Sequence, residues 1–550
     1  MSQVQHHVRS ADSLRWLGTL AYAAAIVCVL PMLAVAVAAL TGGTETVAHL
    51  IQTVLPRYAG TTLVLVLLVS VGTFAIGVGA AWLVTMTRFP GVRFLEIALV
   101  LPLAFPAYVL AYAYTHVLDH PGIVQSTLRN VTGWGPRDYW FPEIRSVGGA
   151  AVMLVLVLYP YVYLLARAAF LQQSGSTFLA ARALGNSAWQ AFMRVSLPMA
   201  RPAIAGGVLL AVMETIADFG TVAYFGVQTF ATGIYTSWFA LADRAAAAQL
   251  ALCLLSFALF LAMLERYQRG NAKYYDAAKR QQAMAPAQLH GVQAVLAFTL
   301  CVIPVVFGCV LPVVVLLEMG VGSEQNLLSS RYLGFIRNSV ALAGIAAILT
   351  LCAAISVGFF QRLRPGRGSS TAAYVVRLGY AVPGGVIAVG LLVPFAAFDN
   401  ALDAWMRETF EISTGLLVTG SIWLLVVAYM VRFLAAALGA YEGGQSTVHA
   451  NMDAAARSLG QTPFGTLRRV HLPILTPSLL TALLIVFVDV MKELPATLIM
   501  RPFNYDTLAV QAYRLASDER LNGAAVPSLV IVAVGLLPVI LICRQVGRLG

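Results

Sequence analysis

The chain has 550 residues, of which 59% are hydrophobic and 11% are charged, with a mean hydropathy of +0.81 and a net charge of +11. Soluble domains carry about 25% charged residues, so this composition excludes an ordinary soluble protein and indicates one that crosses a membrane many times. The six cysteines fall in apolar stretches without CxxC spacing, which favours apolar packing over disulfides or a metal site.

Apolar stretches long enough to span a bilayer, which takes about 20 residues, recur along the whole chain. The first is too long for the apolar core of a signal peptide and has no small-residue cleavage site, so we expect it to be retained. The fold prediction is an all-α integral membrane protein with about 12 transmembrane helices. These predicted helices are residues 15–40, 59–85, 93–115, 148–171, 203–225, 245–264, 291–318, 335–360, 372–397, 414–437, 477–500 and 523–543.

The distribution of charge predicts the orientation in the membrane. An even number of helices places both termini on one side, together with alternate loops, and that side holds most of the 35 Lys and Arg residues. Cytoplasmic loops are enriched in Lys and Arg, so we expect cytoplasmic N- and C-termini. This topology explains the pI of about 9.5 without a nucleic-acid partner. The predicted cytoplasmic loops are residues 86–92, 171–202, 265–290, 361–371 and 438–476.

A hydrophilic pattern occurs twice in this apolar chain, 275 positions apart. A fixed internal repeat indicates a duplicated structural unit. We predict two homologous halves, 1–264 and 291–550, related by a pseudo-twofold axis and joined by a cytoplasmic linker, 265–290, whose basic residues favour contact with anionic lipid. The copies read Ala180-Ala181-Arg182-Ala183-Leu184-Gly185 then Val195-Ser196-Leu197-Pro198, and Ala455-Ala456-Arg457-Ser458-Leu459-Gly460 then Val470-His471-Leu472-Pro473.

Each copy predicts a short helix, a turn at the glycine, and a second helical element that starts at the Leu-Pro pair. Either loop alone could be a plain surface connector. Matched spacing in two copies argues against that interpretation, because an unconstrained connector tolerates insertions. We name residues 171–202 the first repeat loop and residues 438–476 the second repeat loop.

The pattern resembles the cytoplasmic coupling-loop signature of ATP-binding-cassette importer permeases: Glu-Ala-Ala, three residues, Gly, nine residues, Ile-x-Leu-Pro. Leu179 and Ala454 stand at the Glu position here, and Val195 and Val470 at the Ile position. Flanking segments are similar to fused ferric-ion permeases. These segments are Glu214-Thr215-Ile216-Ala217-Asp218-Phe219-Gly220-Thr221, Thr232-Gly233-Ile234-Tyr235, Asp489-Val490-Met491-Lys492-Glu493-Leu494-Pro495-Ala496-Thr497 and Arg501-Pro502-Phe503.

The resemblance implies a non-catalytic membrane subunit of an importer in the bacterial inner membrane. A soluble extracytoplasmic binding protein would deliver the cargo, most simply ferric iron. Two ATPase subunits, which use ATP and Mg, would clamp the repeat loops and drive alternating access. The residues that the signature assigns to ATPase coupling are Ala180, Ala181, Arg182, Gly185, Leu197, Pro198, Ala455, Ala456, Arg457, Gly460, Leu472 and Pro473.

The residues themselves support part of this picture. The three lysines, Lys273, Lys279 and Lys492, do not form a GxxxxGK[ST] loop, so ATP is not bound by this chain through a P-loop and no cofactor is expected in it. Two similar cytoplasmic loops suit two similar motor subunits. Alternative cargoes within the class are thiamine, polyamines and phosphonates. Outside the class, an ion-coupled secondary carrier could also use duplicated halves, but it would not need the repeat loops.

Four acids lie within the predicted helices, and the repeat aligns Glu214 with Asp489 and Asp218 with Glu493. Each pair is four residues apart, which predicts a shared helical face. Buried carboxylates are costly in a membrane and normally face a wet cavity. We expect them to line an oxygen-rich cation path; the structural alternative pairs Asp489 with Lys492.

Three further features of the sequence bear on the path. Phenol oxygens of Tyr108, Tyr112, Tyr159 and Tyr163 could add to the cation path, or the rings could only pack. His116 and His120, with Asp119 between them, have a spacing that could hold a metal, although chance is the simpler explanation because no further ligand is identifiable. Prolines and glycines break corresponding helices of the two halves, which suggests a central pathway; the alternative is a simple packing kink. The breaks are at Pro102, Pro106, Pro383, Gly384 and Gly385.

Overall fold

The computed structural model describes residues 2–171, 173, 175–270, 286–323, 325 and 329–547. Its apolar stretches are helical because a helix satisfies every backbone polar group within one segment, as a membrane interior requires. The first helices are α1 (Ser2–Thr41), α2 (Thr44–Thr53), α3 (Leu55–Met86), α4 (Val92–Ala98), α5 (Ala107–Leu118), α6 (Ile123–Thr132), α7 (Val147–Leu171), α8 (Gly175–Ala183), α9 (Ala188–Ala191), α10 (Leu197–Ala217), α11 (Gly220–Tyr224), α12 (Phe230–Tyr235) and α13 (Arg244–Gly270).

The later helices follow the same pattern of long apolar segments joined by short ones. They are α14 (Gly291–Val305), α15 (Leu311–Val321), α16 (Ser330–Leu363), α17 (Arg367–Leu378), α18 (Gly384–Phe410), α19 (Ile422–Gln445), α20 (Ala450–Ser458), α21 (Pro463–Thr466), α22 (Leu472–Met491), α23 (Pro495–Met500), α24 (Leu508–Ser517) and α25 (Leu521–Gly547). Short 3-10 turns occupy Leu101–Ala104 and Gly379–Ala381, and π-helical turns occupy Phe192–Ser196, Thr236–Ala240, Val306–Val310 and Leu467–His471.

Two short strands, β1 (Thr87–Arg88) and β2 (Ala287–Gln288), pair in parallel. The predicted linker, 265–290, begins within the last residues of α13, and β2 lies near its end. Residues 271–285 of that linker lie outside the described residues, so its predicted lipid contact stays a prediction.

Within the described residues, eleven helical stretches are long and apolar enough to cross a membrane, and one bent pair brings the total to 12. The bent pair is Val92–Ala104 with Ala107–Thr132, whose axes differ by 93°. The prediction of an all-α protein with about 12 membrane helices is confirmed. This chain is therefore a multi-pass membrane protein.

The predicted helix breaks occur at matched places. Pro106 precedes α5 and Pro383 precedes α18, both with extended backbone, φ −68° and ψ 138° for Pro106 and φ −60° and ψ 145° for Pro383. A 3-10 turn comes shortly before each proline. Proline donates no N–H and disfavours helix in the residue before it, so each helix stops and a new one begins.

Contacts divide the chain into two compact units, each built from non-consecutive segments. Unit 1 contains the described residues of Met1–Thr53, Gly233–Leu259 and Asn326–Gln511. In it α1 packs against α16, α17 and α18, while α19 packs against α16 and α22. Its core consists of apolar side chains from these helices.

Unit 2 contains the described residues of Val54–Thr232, Phe260–Gln325 and Ala512–Gly550. In it α3, α7 and α10 pack on one another, and α15 packs against α25 and α5. Each packing unit therefore includes helices from both halves of the sequence. The predicted halves, 1–264 and 291–550, are units of the sequence repeat and do not coincide with the packing units. Their bounds stay a prediction.

Candidate functional site

The first repeat loop forms the predicted helix and turn. Helix α8 ends near Gly185, where the Asn186 N–H donates to the Ala181 carbonyl oxygen at 3.3 Å and the Gly185 N–H donates to the Arg182 carbonyl oxygen at 3.0 Å. Gly185 has φ +86°, a conformation that glycine adopts without steric cost. Ser187 then caps α9 by accepting from the Gln190 N–H.

The second repeat loop has the same geometry 275 residues later. The Gln461 N–H donates to the Ala456 carbonyl oxygen at 3.0 Å, Gly460 has φ +74°, and Thr462 caps α21. A π-helical turn follows in both loops and leads into α10 and α22. The turn at each glycine is confirmed. The second element, however, starts about nine residues before the predicted Leu-Pro pair, because the Ser or Thr cap supplies an earlier start signal.

Both loops expose the same kind of side chain at matched positions. Leu184 and Leu459 are 84% and 80% exposed, and the aromatic side chains of Trp189 and Phe464, also 275 residues apart, are 65% and 59% exposed. Arg182 and Arg457 are likewise exposed, whereas Ala181 and Ala456 are buried under each loop. Each loop thus presents a small apolar surface next to a cation.

The side chains that hold the two loops to the helices differ. Under the first loop lies an aromatic cluster: the Trp82 ring centroid is 4.2 Å from that of Phe192, 5.6 Å from that of Phe170 and 5.8 Å from that of Phe178. Gln173 adds one hydrogen bond, from Nε2 to the Ser196 carbonyl oxygen at 2.8 Å. This joint is held mainly by apolar burial.

The second loop is held by charged side chains instead of an aromatic cluster. Asp453 and His471 stand at the positions that correspond to Phe178 and Ser196 in the first loop. Asp453 Oδ2 accepts from Arg362 Nε at 2.7 Å, and Asp453 Oδ1 lies 2.6 Å from Nε2 of the fully buried His471. Arg362 also donates to the carbonyl oxygens of Gln445 and Val448 at 3.2 and 2.6 Å. We name Arg362, Asp453 and His471 the charged joint.

Electrostatics favours the ionised form of this carboxylate. Burial by itself raises the pKa of Asp453, but the hydrogen bonds from His471 and Arg362 outweigh it, so its pKa lies below the usual value of 3.8. An ionised carboxylate only accepts hydrogen bonds, so Nε2 of His471 carries a proton and donates it in the hydrogen bond to Asp453 Oδ1. The charged joint was not predicted from the sequence, because Arg362 lies 91 residues before Asp453, outside the repeat loop.

The intramembrane acids take a different arrangement from the one expected. Helix α10 ends at Ala217, and Asp218 accepts from the Thr221 N–H and hydroxyl at 3.1 Å each and from the Val222 N–H at 3.2 Å. It therefore caps the start of α11. The prediction that Glu214 and Asp218 share one face of a continuous helix is wrong, because α10 ends at Ala217 and Asp218 lies in the link to α11.

Glu493 repeats this arrangement in unit 1. Helix α22 ends at Met491, and Glu493 accepts from the Ala496 and Thr497 N–H groups at 2.9 and 3.0 Å and from the Thr497 hydroxyl at 2.5 Å. Again the two acids do not continue along one helix. A partly buried cation, Arg432, lies 3.9 Å from the Glu493 carboxylate, and it was not identified from the sequence.

The remaining acids and the tyrosines complete the predicted pathway set. Asp489 pairs with Lys492 at 2.9 Å, as the structural alternative expected. Among the tyrosines, Tyr163 donates to the Glu96 carbonyl oxygen at 3.0 Å. The ring centroids of Tyr108 and Tyr112 are 5.7 Å apart in the core of unit 2, and Tyr159 is fully buried there. Whether these residues line a cargo path stays a prediction.

The cluster near His116 carries salt bridges. Arg145 Nε donates to Asp119 at 3.1 Å, and Arg145 Nη1 donates to Glu519 at 2.7 Å. The hydrogen bond from Arg145 lowers the pKa of Glu519. Among the described residues no three His, Cys, Asp or Glu side chains are grouped as a metal site would require. Asp119 thus serves an ion pair, which gives no support to a metal at His116 and His120.

Comparison with known proteins identifies the family. Residues 73–270 and 351–548 each match the family described as "Binding-protein-dependent transport system inner membrane component". The chain is 26% identical to the Fe(3+)-transport system permease protein FbpB 2 of Haemophilus influenzae, over 96% of this chain and 97% of that protein. It is 24% identical to the ferric transport system permease protein FbpB of Actinobacillus pleuropneumoniae, over 76% of this chain and 60% of that protein. The chain therefore belongs to the inner-membrane permease family of binding-protein-dependent transport systems, and it carries that family's domain twice.

Proposed function

We propose that this chain is the membrane subunit of an importer for ferric iron. The observation that carries the cargo is the likeness to an Fe(3+)-transport permease along 96% of the chain. An extracytoplasmic binding protein delivers the iron, and ATP binding in partner subunits switches the membrane helices between inward-facing and outward-facing states. Both termini lie in the cytoplasm, as the charge distribution predicts.

Two ATPase subunits dock on the two repeat loops. The matched surfaces support this step, because each loop exposes a leucine and an aromatic ring beside an arginine. Exposed apolar patches bordered by polar residues are typical of protein interfaces. One kind of surface presented twice fits two copies of one kind of partner.

A cargo assay tests the function. The permease would be purified with its co-expressed ATPase, placed in liposomes that contain ATP, and supplied with the loaded binding protein and labelled ferric iron. We expect ATP-dependent iron uptake that excess thiamine, spermidine or 2-aminoethylphosphonate does not reduce. Uptake of one of these competitors instead of iron would refute the cargo, and uptake without an ATPase would favour a secondary carrier.

The two glycines allow a sharper test of docking. A Cβ at Gly185 would have no heavy atom within 4 Å, so a substitution there strains only the backbone. Gly460 shares the positive φ of Gly185. Valine at positive φ costs about 1–2 kcal/mol, whereas asparagine tolerates this conformation. We expect Gly185→Val and Gly460→Val to reduce ATPase recovery or uncouple hydrolysis from uptake, while Gly185→Asn and Gly460→Asn remain close to wild type. Equal behaviour of the Val and Asn variants would contradict the docking assignment.

A further inference from the structure

An open apolar groove lies along α10 in unit 2, between Phe74 of α3 and Leu264 of α13. Its volume is about 530 Å³, a size typical of pockets that bind small molecules. Seven of its eight lining residues are apolar, and the eighth is Arg201. Phe74 continues a stripe of exposed apolar side chains on α3, which is the surface that a membrane helix turns toward lipid; the stripe is Leu63, Leu67, Val71 and Phe74. The groove therefore opens toward the lipid.

Arg201 continues the apolar face of α10. The α10 residues of the lining recur every three or four positions, which places them on one side of the helix; they are Leu197, Arg201, Ile204, Ala205, Val208 and Leu209. A helix rises about 1.5 Å per residue, so the apolar lining extends about 12 Å past Arg201. Among the described residues, no hydrogen bond or ion pair holds the exposed Arg201 guanidinium, not even one with Glu265, which follows Leu264.

A phospholipid of negative charge matches both parts of the groove. The Arg201 guanidinium can donate two parallel hydrogen bonds to phosphate oxygens, and the apolar face beyond it can pack along an acyl chain. Arg201 lies in the second turn of α10 and within the bounds of the first repeat loop, where the chain changes from polar to apolar. This is the depth at which lipid headgroups lie, and basic pockets between membrane helices bind anionic headgroups.

The predicted linker is the other candidate occupant within the chain, since it follows Leu264. Its residues 271–285 lie outside the described residues, but their sequence contains three cations and one acid, which are Lys273, Lys279, Arg280 and Asp276. A segment of net positive charge would be repelled by the unpaired Arg201 guanidinium. Charge complementarity therefore favours an anionic lipid over the linker.

The repeat-related face of α22 lacks both features of the groove. Thr476 stands where α10 has Arg201, and its hydroxyl donates to the Leu472 carbonyl oxygen at 2.9 Å. Leu480 stands where α10 has the small Ala205, and its side chain is exposed. The second half therefore has no cation at this position, and a larger side chain occupies the matching surface.

We propose that the groove on α10 binds one anionic phospholipid, with the lipid phosphate on Arg201 and an acyl chain along Ile204 to Leu209, and that the matching face of α22 does not. The inference depends neither on the cargo nor on ATPase docking. Its failure would therefore leave the proposed function as it stands.

Native mass spectrometry of the delipidated full chain tests the site, with phosphatidylglycerol and phosphatidylcholine of the same acyl chains at equal concentration. We expect the wild type to bind one phosphatidylglycerol in preference. Arg201→Gln should weaken that binding about ten- to hundredfold, the effect of losing hydrogen bonds to a charged group. Ala205→Leu keeps the cation but narrows the groove, so it should also weaken binding. Arg93→Gln is the matched control, because Arg93 is another exposed arginine of unit 2 and lies outside the groove.

Each outcome decides the proposal. Weaker binding of phosphatidylglycerol in Arg201→Gln and Ala205→Leu, with wild-type binding in Arg93→Gln, would support the site. It would be overturned by a wild type without preference for phosphatidylglycerol, by unchanged binding in Arg201→Gln or Ala205→Leu, by an equal loss in Arg93→Gln, or by displacement of the lipid with inorganic phosphate at the same concentration.

A cross-link identifies the occupant in the membrane itself. A diazirine amino acid in place of Val208, which lines the groove, would be activated by light in membranes that contain the full chain, and the mass of the adduct would be measured. We expect an adduct with a phospholipid. An adduct with the linker or with a partner subunit would overturn the proposal.

Discussion

Replacing Asp453 with Asn tests the charged joint under the second repeat loop. The change keeps the side-chain shape but removes the charge that faces Arg362 Nε at 2.7 Å and His471 Nε2 at 2.6 Å. Solvent screens this site little, because the Arg362 and Asp453 side chains are only 18% and 13% exposed. Hydrogen bonds to charged groups contribute about 1.5–3 kcal/mol each.

The expected loss is smaller than the sum of two such bonds, because Arg362 keeps two carbonyl acceptors. We expect the joint to lose about 2–3 kcal/mol, so that the second repeat loop opens about 30- to 150-fold more often. Hydrogen exchange of the backbone amides measures this opening. The first repeat loop is the internal control, because its joint is aromatic. Unchanged exchange in residues 450–471, or an equal rise in residues 175–196, would refute the reasoning.

Two further predictions concern pH and packing. The folded pKa of Asp453 lies below the unfolded value of 3.8, so its contribution to the free energy of unfolding is complete at pH values above 3.8 and is lost as the pH falls through the folded pKa. Acid unfolding followed by fluorescence should therefore show a pH dependence of stability that Asp453→Asn lacks. The same pH dependence in both proteins would contradict this. A Cβ at Gly384 would lie 2.7 Å from both Arg432 Nη1 and Glu493 Oε1, whereas a Cβ at Gly385 would come no nearer than 4.0 Å to Ile234. Gly384→Ala should therefore lower Tm, and Gly385→Ala should not. Equal Tm values for the two variants would count against the close packing of Gly384 on Arg432 and Glu493.

The membrane helices and the repeat loops could be predicted from local sequence patterns, namely runs of apolar residues, glycines and prolines. Runs of apolar residues must be helical where no water can satisfy the backbone, and glycine at a helix end predicts the left-handed turns found at Gly185 and Gly460. The prolines at 106 and 383 predicted the helix breaks for the same kind of reason, since the effect of a proline is confined to its neighbours. The π-helical turns, the earlier start of the second element, and the ends of α10 and α22 before Asp218 and Glu493 were not predicted from local patterns.

The sequence by itself thus determined the class of protein, the duplicated halves and the turns of the repeat loops, because these depend on composition, spacing and local backbone chemistry. Only the tertiary structure decided that α1 packs with helices of the second half in unit 1 and that α25 packs with α5 in unit 2. The lipid-facing and helix-facing surfaces of membrane helices are both apolar, so the pattern of apolar residues does not reveal which helices are neighbours. The same holds for Arg362 with Asp453, and for Arg432 with Glu493, because each pair joins residues that lie at least 61 positions apart in the chain.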